Sequence, residues 1–506
     1  MREGDDGMKY LMGIDMGGTM VKTSIYDLEG SEIATHGEHI SILHPRYDRM
    51  ERDLTEARDK MILTVRKAIS KAHISGSDIL GIGVTGQGNG AYMFDADGNP
   101  VCNGIMSSDM RAKNYIKKWY SDGTFDAVYP LTGSQIWAGN ISALIAWFQD
   151  HEPDILEKTA YIVTAKDYVR YLLTGEFHTE ITEGSGTSCM ELSTRQYSPE
   201  IFEKLGISAH LSKIPPAIGS CEIGGYVTAK AAALTGLKEG TPVVGGEFDV
   251  SASTAAAGVI KEHQMGIVVG SWGINTILQH KAVHDPELFM QYVYVIPDYI
   301  ALMEGSATST ANLEWFIDTC MERGEDIYKR CNDLVQAAPY RDSLLFLPYI
   351  YSSNVHLDAK AMFVGLHGGH ELKHMLRAVF EGVVFCHRLH IDKLLKHDKM
   401  PSRIQMAGGA TRSDVWMQLF ADILGAEIEV SQASELGTMS VALCAGIGCG
   451  VFDSIEETTL KWAKSKRVFY PDQEKHLYYQ KKYHAFKTVI SAMDSAWSEL
   501  DELIEA

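Results

Sequence analysis

Two stretches, 253 positions apart, decide how this chain is read: "YLMGIDMGGTMVKTSIYD", Tyr10–Asp27, and "HQMGIVVGSWGINTILQ", His263–Gln279. In the first, an apolar run reaches a carboxylate, breaks at Gly17, Gly18 and Thr19, and resumes as a second alternating run. That is the pattern of a β-hairpin closed by a glycine turn. Shifted by 253, Met12, Gly13, Ile14, Gly17 and Thr23 fall on Met265, Gly266, Ile267, Gly270 and Thr276. This echo at mid-chain predicts two halves that each begin with the same strand, glycine turn and strand.

Other segments extend the theme. "DLTEARDKMILTVRKAISKA", from Asp53, carries Ile62, Val65 and Ile69 at helical spacing behind an Asp cap, and leads into the apolar run "ILGIGVTGQGNG". In the second half, "GHELKHMLRAVFEGVVFCHRLHIDKLL" predicts a helix, and "RIQMAGGATRSDVWMQLFADILG" a strand, a Gly-Gly-Ala turn and a helix. Strands that end in glycine turns facing helix N-termini are where open α/β sheets bind ligands. Near the end, Tyr483, Phe486, Ile490, Met493, Trp497 and Leu500 form the stripe of a helix packed back onto the body.

With 506 residues the chain exceeds one hydrophobic core, so two domains are expected, with a ligand cleft between them. A formal charge of -20 argues against nucleic acid or an anionic membrane surface as partner. No apolar run approaches the ~18 residues of a membrane span. Eight scattered cysteines without a C-x-x-C read as reduced thiols, hence a cytoplasmic protein. Residues 1–8 read as a short disordered leader.

In the first hairpin, Gly17, Gly18 and Thr19 offer backbone donors for phosphate oxygens, Asp15 a ligand for a metal ion or its waters, and Lys22 a positive charge. This is not a Walker loop, because no G-x-x-x-x-G-K-[ST] occurs. A second candidate region is "PVVGGEFDVSAST", Pro242–Thr254, where two carboxylates, Glu247 and Asp249, precede a predicted helix at Ser251–Ala257. Asp249 suits either a helix N-cap or a proton acceptor.

Taken in order, these motifs resemble the FGGY carbohydrate kinases over nearly the whole chain. "GIDMGGT" looks like the first phosphate motif, "VVGSWG" the second, and "AGGATRSDVWMQLFADILG" the adenosine motif; Ala361–Glu381 fits the second family signature in spacing. The first signature departs from the family, since "NISALIAWFQDH" has Leu144 where a lysine is expected.

The resemblance implies an α/β protein of two ribonuclease H-like domains. A sugar-binding and catalytic-base domain would span 9–256, and a nucleotide-binding domain with a terminal helix 257–506. ATP and Mg²⁺ are the implied cofactors, and a homodimer the implied assembly. Asp249 becomes the catalytic base, and Asp15 and Asp249 the metal-facing carboxylates. Thr19 and Lys22 face the phosphates, Gly270 and Ser271 approach them from the second domain, and Gly408, Gly409 and Ala410 underlie the nucleotide near Asp414.

For the sugar, the candidates are Gln87, Ser108, Asp109, Trp137 and Phe248; packing competes with function for the two aromatics, and a solvated turn competes for Asp109 and Arg111. Within the family, "GQGNG", "SSDMR", "GGEFDV", "NLEWF" and "SDVWMQ" look closest to bacterial L-xylulose kinases. D-xylulose, L-ribulose, glycerol and erythritol remain alternative acceptors. An actin-like or chaperone-like ATPase switch is the reading from another class.

Overall fold

The computed structural model describes residues 8–270, 272–351, 353, 359–431, 433, 435–463 and 465–505, so the expected leader lies outside the described residues except for Met8. The chain forms two compact units. One contains the chain up to Ile260, together with Gln279–Leu302 and Ala433–Lys464; the other contains Lys261–Leu278, Met303–Gln432 and Ser465–Ala506.

The first unit is built on a mixed sheet. Its strands are β1 (Tyr10–Met16), β2 (Met20–Asp27), β3 (Glu32–His39), β4 (Ile79–Gly86), β5 (Ile223–Tyr226), β6 (Pro242–Val244) and β7 (Glu247–Phe248). They lie in the order β5-β6-β4-β1-β2-β3, with β7 also paired to β4. β1 and β2 form the expected antiparallel hairpin, whereas β1 and β4 run parallel. A parallel pair needs a crossover, and the helix Leu54–Ala72 supplies it. Asp53 caps that helix as expected, its carboxylate accepting from the N–H groups of Thr55 and Glu56 at 2.7 and 3.1 Å.

The helix Leu436–Gly448 lies across β1 and β4 so closely that only glycine fits beneath it. A Cβ on Gly13 would sit 2.0 Å from the Thr438 carbonyl oxygen, and one on Gly83 1.9 Å from that of Val441. A second apolar cluster of this unit gathers Trp119, Val128, Ile141, Leu144, Phe148 and Phe202. Leu144, the departure from the family signature, is wholly buried there. A lysine there would have to carry its ammonium through this apolar cluster, which costs free energy.

The second unit has its own sheet of β8 (Met265–Val269), β9 (Gly273–Gln279), β10 (Ile300–Ser306), β11 (Arg403–Ala407), β12 (Glu427–Ser431) and β13 (Ser465–Phe469), in the order β10-β9-β8-β11-β12-β13. β8 and β9 form the second hairpin, with β11 parallel beside β8. The echo between the halves holds along the first strand and then slips by one. Residues 17–20 separate the last pair Met16↔Val21, but only 270–272 separate Val269↔Gly273. Thr23 therefore faces Ile14, whereas Thr276 faces Gly266.

The helices Leu372–Leu394, Asp414–Leu424 and Gln473–Glu505 pack in this unit. Of the terminal stripe, Tyr483, Phe486, Ile490 and Trp497 are buried, with Tyr483 and Phe486 against Phe385, while Leu500 is exposed. Among the described residues no helix is long and apolar enough to cross a membrane.

Candidate active site

The β1–β2 loop is shaped from behind. The buried Arg52 donates through Nη2 to the carbonyl oxygens of Gly17 and Gly18 at 2.9 and 2.5 Å. In a trans peptide the N–H points opposite the preceding C=O. Drawing those two carbonyls toward Arg52 therefore turns the N–H groups of Gly18 and Thr19 the other way. Thr19 is exposed, and Lys22 pairs with Glu435 at 2.9 Å. Asp15 ends β1 with Oδ1 enclosed and without a hydrogen-bond partner among the described residues. Burial raises its pKa to about 6, opposed by Lys22 and assisted by Glu435.

Asp249 follows β7 directly. The helix spans Asp249–Ala256 with Phe248 as its cap residue, so the N-cap expectation for Asp249 and the predicted start at Ser251 are both corrected. The reason is strand pairing: β7 still pairs with β4 at Phe248↔Gly86, and the chain turns into the helix at the next residue. Burial, then the charge of Asp15, pushes Asp249 up to about 7. Glu247 is different in kind. Fully buried, it accepts from Ser251 Oγ at 3.0 Å, Ser440 Oγ at 2.6 Å and Cys444 Sγ at 3.2 Å. It ties β7 to two helices.

The expected sugar residues belong to this same unit but differ in how free they are. Gln87 is buried with its Nε2 unpartnered, and Ser108 is exposed, its Oγ 2.9 Å from Met50 Sδ. Asp109 is wholly buried rather than in a solvated turn. One of its oxygens accepts from Arg111 N and Nε at 2.9 and 2.8 Å, the other from Met50 N and Arg111 Nη2 at 2.8 and 3.0 Å. Four donors fill the lone-pair directions of a carboxylate. Trp137 donates to the Ser107 carbonyl at 3.3 Å and stacks on Phe289, with ring centroids 5.4 Å apart. Phe248 is buried edge-on to Tyr292, and a Cβ on Gly88 would meet its ring at 2.0 Å.

Sequence reasoning missed a polar segment beneath these residues. In the short helix Ile181–Ser185, Thr182 Oγ1 accepts from Phe248 N at 2.9 Å and Glu183 Oε1 from Asn89 N at 2.6 Å. Asn140 then links Asn89 to Trp137, at 2.8 and 2.6 Å. The acid pair in "TEITEGSG" was the available signal, but nothing in its spacing shows that it is buried.

In the second unit, the Gly270 carbonyl accepts from Thr310 N and Oγ1 at 3.0 and 2.7 Å, which fixes the end of β8. Ser271 lies outside the described residues, and Trp272 is half exposed. Gly408 ends β11 at φ +94°, where a Cβ would lie 2.5 Å from the Val269 carbonyl oxygen. Beyond it opens a cavity of about 290 Å³, walled by Thr310, Leu313, Tyr328, Gly409, Ala410 and Trp416. Its size and mainly apolar walls suit a planar heterocycle. Asp414 is not among its walls; it is mostly exposed and paired with Arg467.

Comparison with known proteins decides the family. Residues 10–256 match the FGGY family of carbohydrate kinases, N-terminal domain, and residues 265–449 match its C-terminal domain. The chain belongs to the FGGY family. Among curated relatives, the L-xylulose/3-keto-L-gulonate kinase of Escherichia coli K12 is 34% identical, with 98% of this chain and 99% of the relative covered. A probable L-xylulose kinase of Pasteurella multocida is 33% identical, over 96% and 99%. Among solved structures, the xylulose kinase from Rhodospirillum rubrum superposes with a TM-score of 0.86 at 26% identity, over 97% of this chain and all of that one.

As an FGGY protein the chain is a carbohydrate kinase, a phosphotransferase acting on a sugar, with the ribonuclease H-like fold of the sugar kinases. Among the described residues no cluster of three or more metal-ligating side chains occurs. Mg²⁺ is held by one or two carboxylates together with substrate phosphates. The enclosed, unpartnered Oδ1 of Asp15 is a donor atom of the right kind.

Proposed function

We propose that this FGGY kinase transfers the γ-phosphoryl group of ATP to a ketopentose hydroxyl, converting L-xylulose to L-xylulose 5-phosphate. The names of the relatives at 34 and 33% identity support the sugar. The observation that carries the chemistry is Asp249, pushed to about 7 at the start of its helix beside Asp15. A sugar hydroxyl is a weak nucleophile, and a general base works best when its pKa lies near the working pH.

In this reading Asp249 accepts the hydroxyl proton as the oxygen attacks phosphorus. Gln87 Nε2 and Ser108 hydrogen-bond the sugar, Asp109 holds the 107–111 loop around Ser108, and Trp137 and Phe248 cover its apolar face. Backbone donors at Gly17, Gly18 and Thr19, with Lys22, meet the phosphates. The ring of the nucleotide lies on Gly408, Gly409 and Ala410, with Asp414 at the border. Mg²⁺, held by Asp15 and Asp249, would neutralise charge on the transferring group. We assign sugar binding to the unit containing residues 10–256 and nucleotide binding to the other, and take the enzyme to act in the cytoplasm as a homodimer.

A coupled ADP-release assay over L-xylulose, D-xylulose, L-ribulose, glycerol and erythritol tests this. L-Xylulose is expected to give the highest kcat/KM. ADP release that ignores the sugar, with no phosphosugar formed, would count against a kinase and for an ATPase switch.

A further inference from the structure

Two buried polar atoms next to one loop of the first unit lack a hydrogen-bond partner among the described residues. Gln87 Nε2 is one, and Glu183 Oε2 is the other. The loop between them is held by Glu183 itself, whose Oε1 accepts from Asn89 N at 2.6 Å, with Asn89 in the left-handed region at φ +59°. Buried polar groups in stable cores are almost always paired, so two orphans, one on the Gln87 loop and one on the side chain that holds it, mark a place where a ligand completes the bonding.

The surroundings say what kind of ligand. Thr182, the neighbour of Glu183, holds the backbone of Phe248, one residue before Asp249. Glu183 is almost wholly buried, and the nearby cation Lys166 is already engaged by Asp167 at 2.8 Å and Glu180 at 3.5 Å. Burial raises the Glu183 pKa well above the carboxylate range, with Asp249 adding to the effect. Burial favours the protonated form, whose free oxygen can donate as well as accept, as a sugar hydroxyl can.

We propose that Glu183 is a substrate-selecting residue: Oε1 positions the Gln87 loop through Asn89, and Oε2 bonds one hydroxyl of a polyhydroxylated substrate. The proposal rests on the kinase reading and deepens it by naming a group that tells one epimeric sugar from another. A hydroxyl turned to the other face of the chain leaves Oε2 unpaired, and a site built to bond a hydroxyl rejects the analogue that does not present it.

The test compares wild type, Glu183→Gln and Glu183→Ala in steady-state kinetics with L-xylulose and D-xylulose, with melting curves for each protein. Glu183→Gln keeps the acceptor for Asn89 but makes the second atom a donor only. It is expected to fold normally and to change the L- to D-xylulose ratio of kcat/KM at least threefold, with KM for ATP within twofold of wild type. Glu183→Ala, if folded, is expected to raise KM for the sugar at least tenfold, more than it changes kcat. A folded Glu183→Gln enzyme with an unchanged epimer ratio and unchanged KM for the sugar would overturn the inference alone. So would KM values for sugar and ATP that rise together in both variants. Wild-type enzyme that phosphorylates no ketopentose would overturn the proposed ketopentose reading and this inference with it.

Discussion

Asp249 and Glu247 are two residues apart and both are held near pH 7 by burial, yet their surroundings separate them. Glu247 spends its oxygens on Ser251, Ser440 and Cys444; Asp249 accepts no side-chain bond that would compete with a substrate proton among the described contacts. Asp249→Asn is therefore expected to fold and bind sugar but lose kcat by about 10²–10⁴-fold. The pH dependence follows from the raised pKa. The ionised form is the base, so kcat/KM should fall about tenfold per unit below a pH of about 7. For stability the sign is opposite. Between 3.8 and about 7 the native protein binds more protons at Asp249 than the unfolded chain does, so the stability this group contributes at low pH is lost as pH rises through the folded value. Thermal melts should show Asp249→Asn to be more stable than wild type at pH 8, by roughly 2–4 °C, with the advantage shrinking toward pH 5.

The glycines of β1 and β4 do more than lighten the strands, because they let the helix Leu436–Gly448 approach the sheet backbone. Gly83→Ala would drive a Cβ into the Val441 carbonyl at 1.9 Å, so the helix must lift. Overpacking of this kind costs about 1–3 kcal/mol, visible as a lowered urea midpoint; an unchanged midpoint would contradict the close approach. Glu247→Ala acts on the same helix by stripping the partner from the Ser440 and Ser251 hydroxyls. Leaving buried donors unsatisfied costs about 1–3 kcal/mol, so its melting temperature should drop while the KM for ATP stays near wild type.

These elements also show what the sequence could and could not reveal. Hairpins, the Asp53 cap and the Arg403–Leu424 strand-turn-helix run were readable because period and turn chemistry are local. The start of the Asp249 helix was misplaced because β7 pairing, a long-range fact, sets where the chain can turn. Asp109 and Glu183 are charged residues whose burial depends on partners far along the chain, Met50 for one and Asn89 for the other. Composition gives no hint of that. The one-residue slip between the hairpins was equally hidden, since a short identity match does not count loop residues.

Across the molecule as a whole, the two units carry separable tasks in the proposed reaction, and this gives a further test. Ala410 walls the second unit's cavity, so Ala410→Phe should raise KM for ATP about tenfold or more by filling it, while sugar affinity measured without nucleotide is unchanged. Equal losses for both ligands would contradict the separation. The account stands on phosphoryl transfer to a ketopentose with Asp249 as the proton acceptor. Single-turnover formation of L-xylulose 5-phosphate by wild type and Asp249→Asn, at saturating ATP and Mg²⁺ and with sugar binding measured in parallel, decides it. The predicted result is rapid product in wild type and at least hundredfold slower product in a variant that still binds the sugar; near-normal product formation by Asp249→Asn would contradict it.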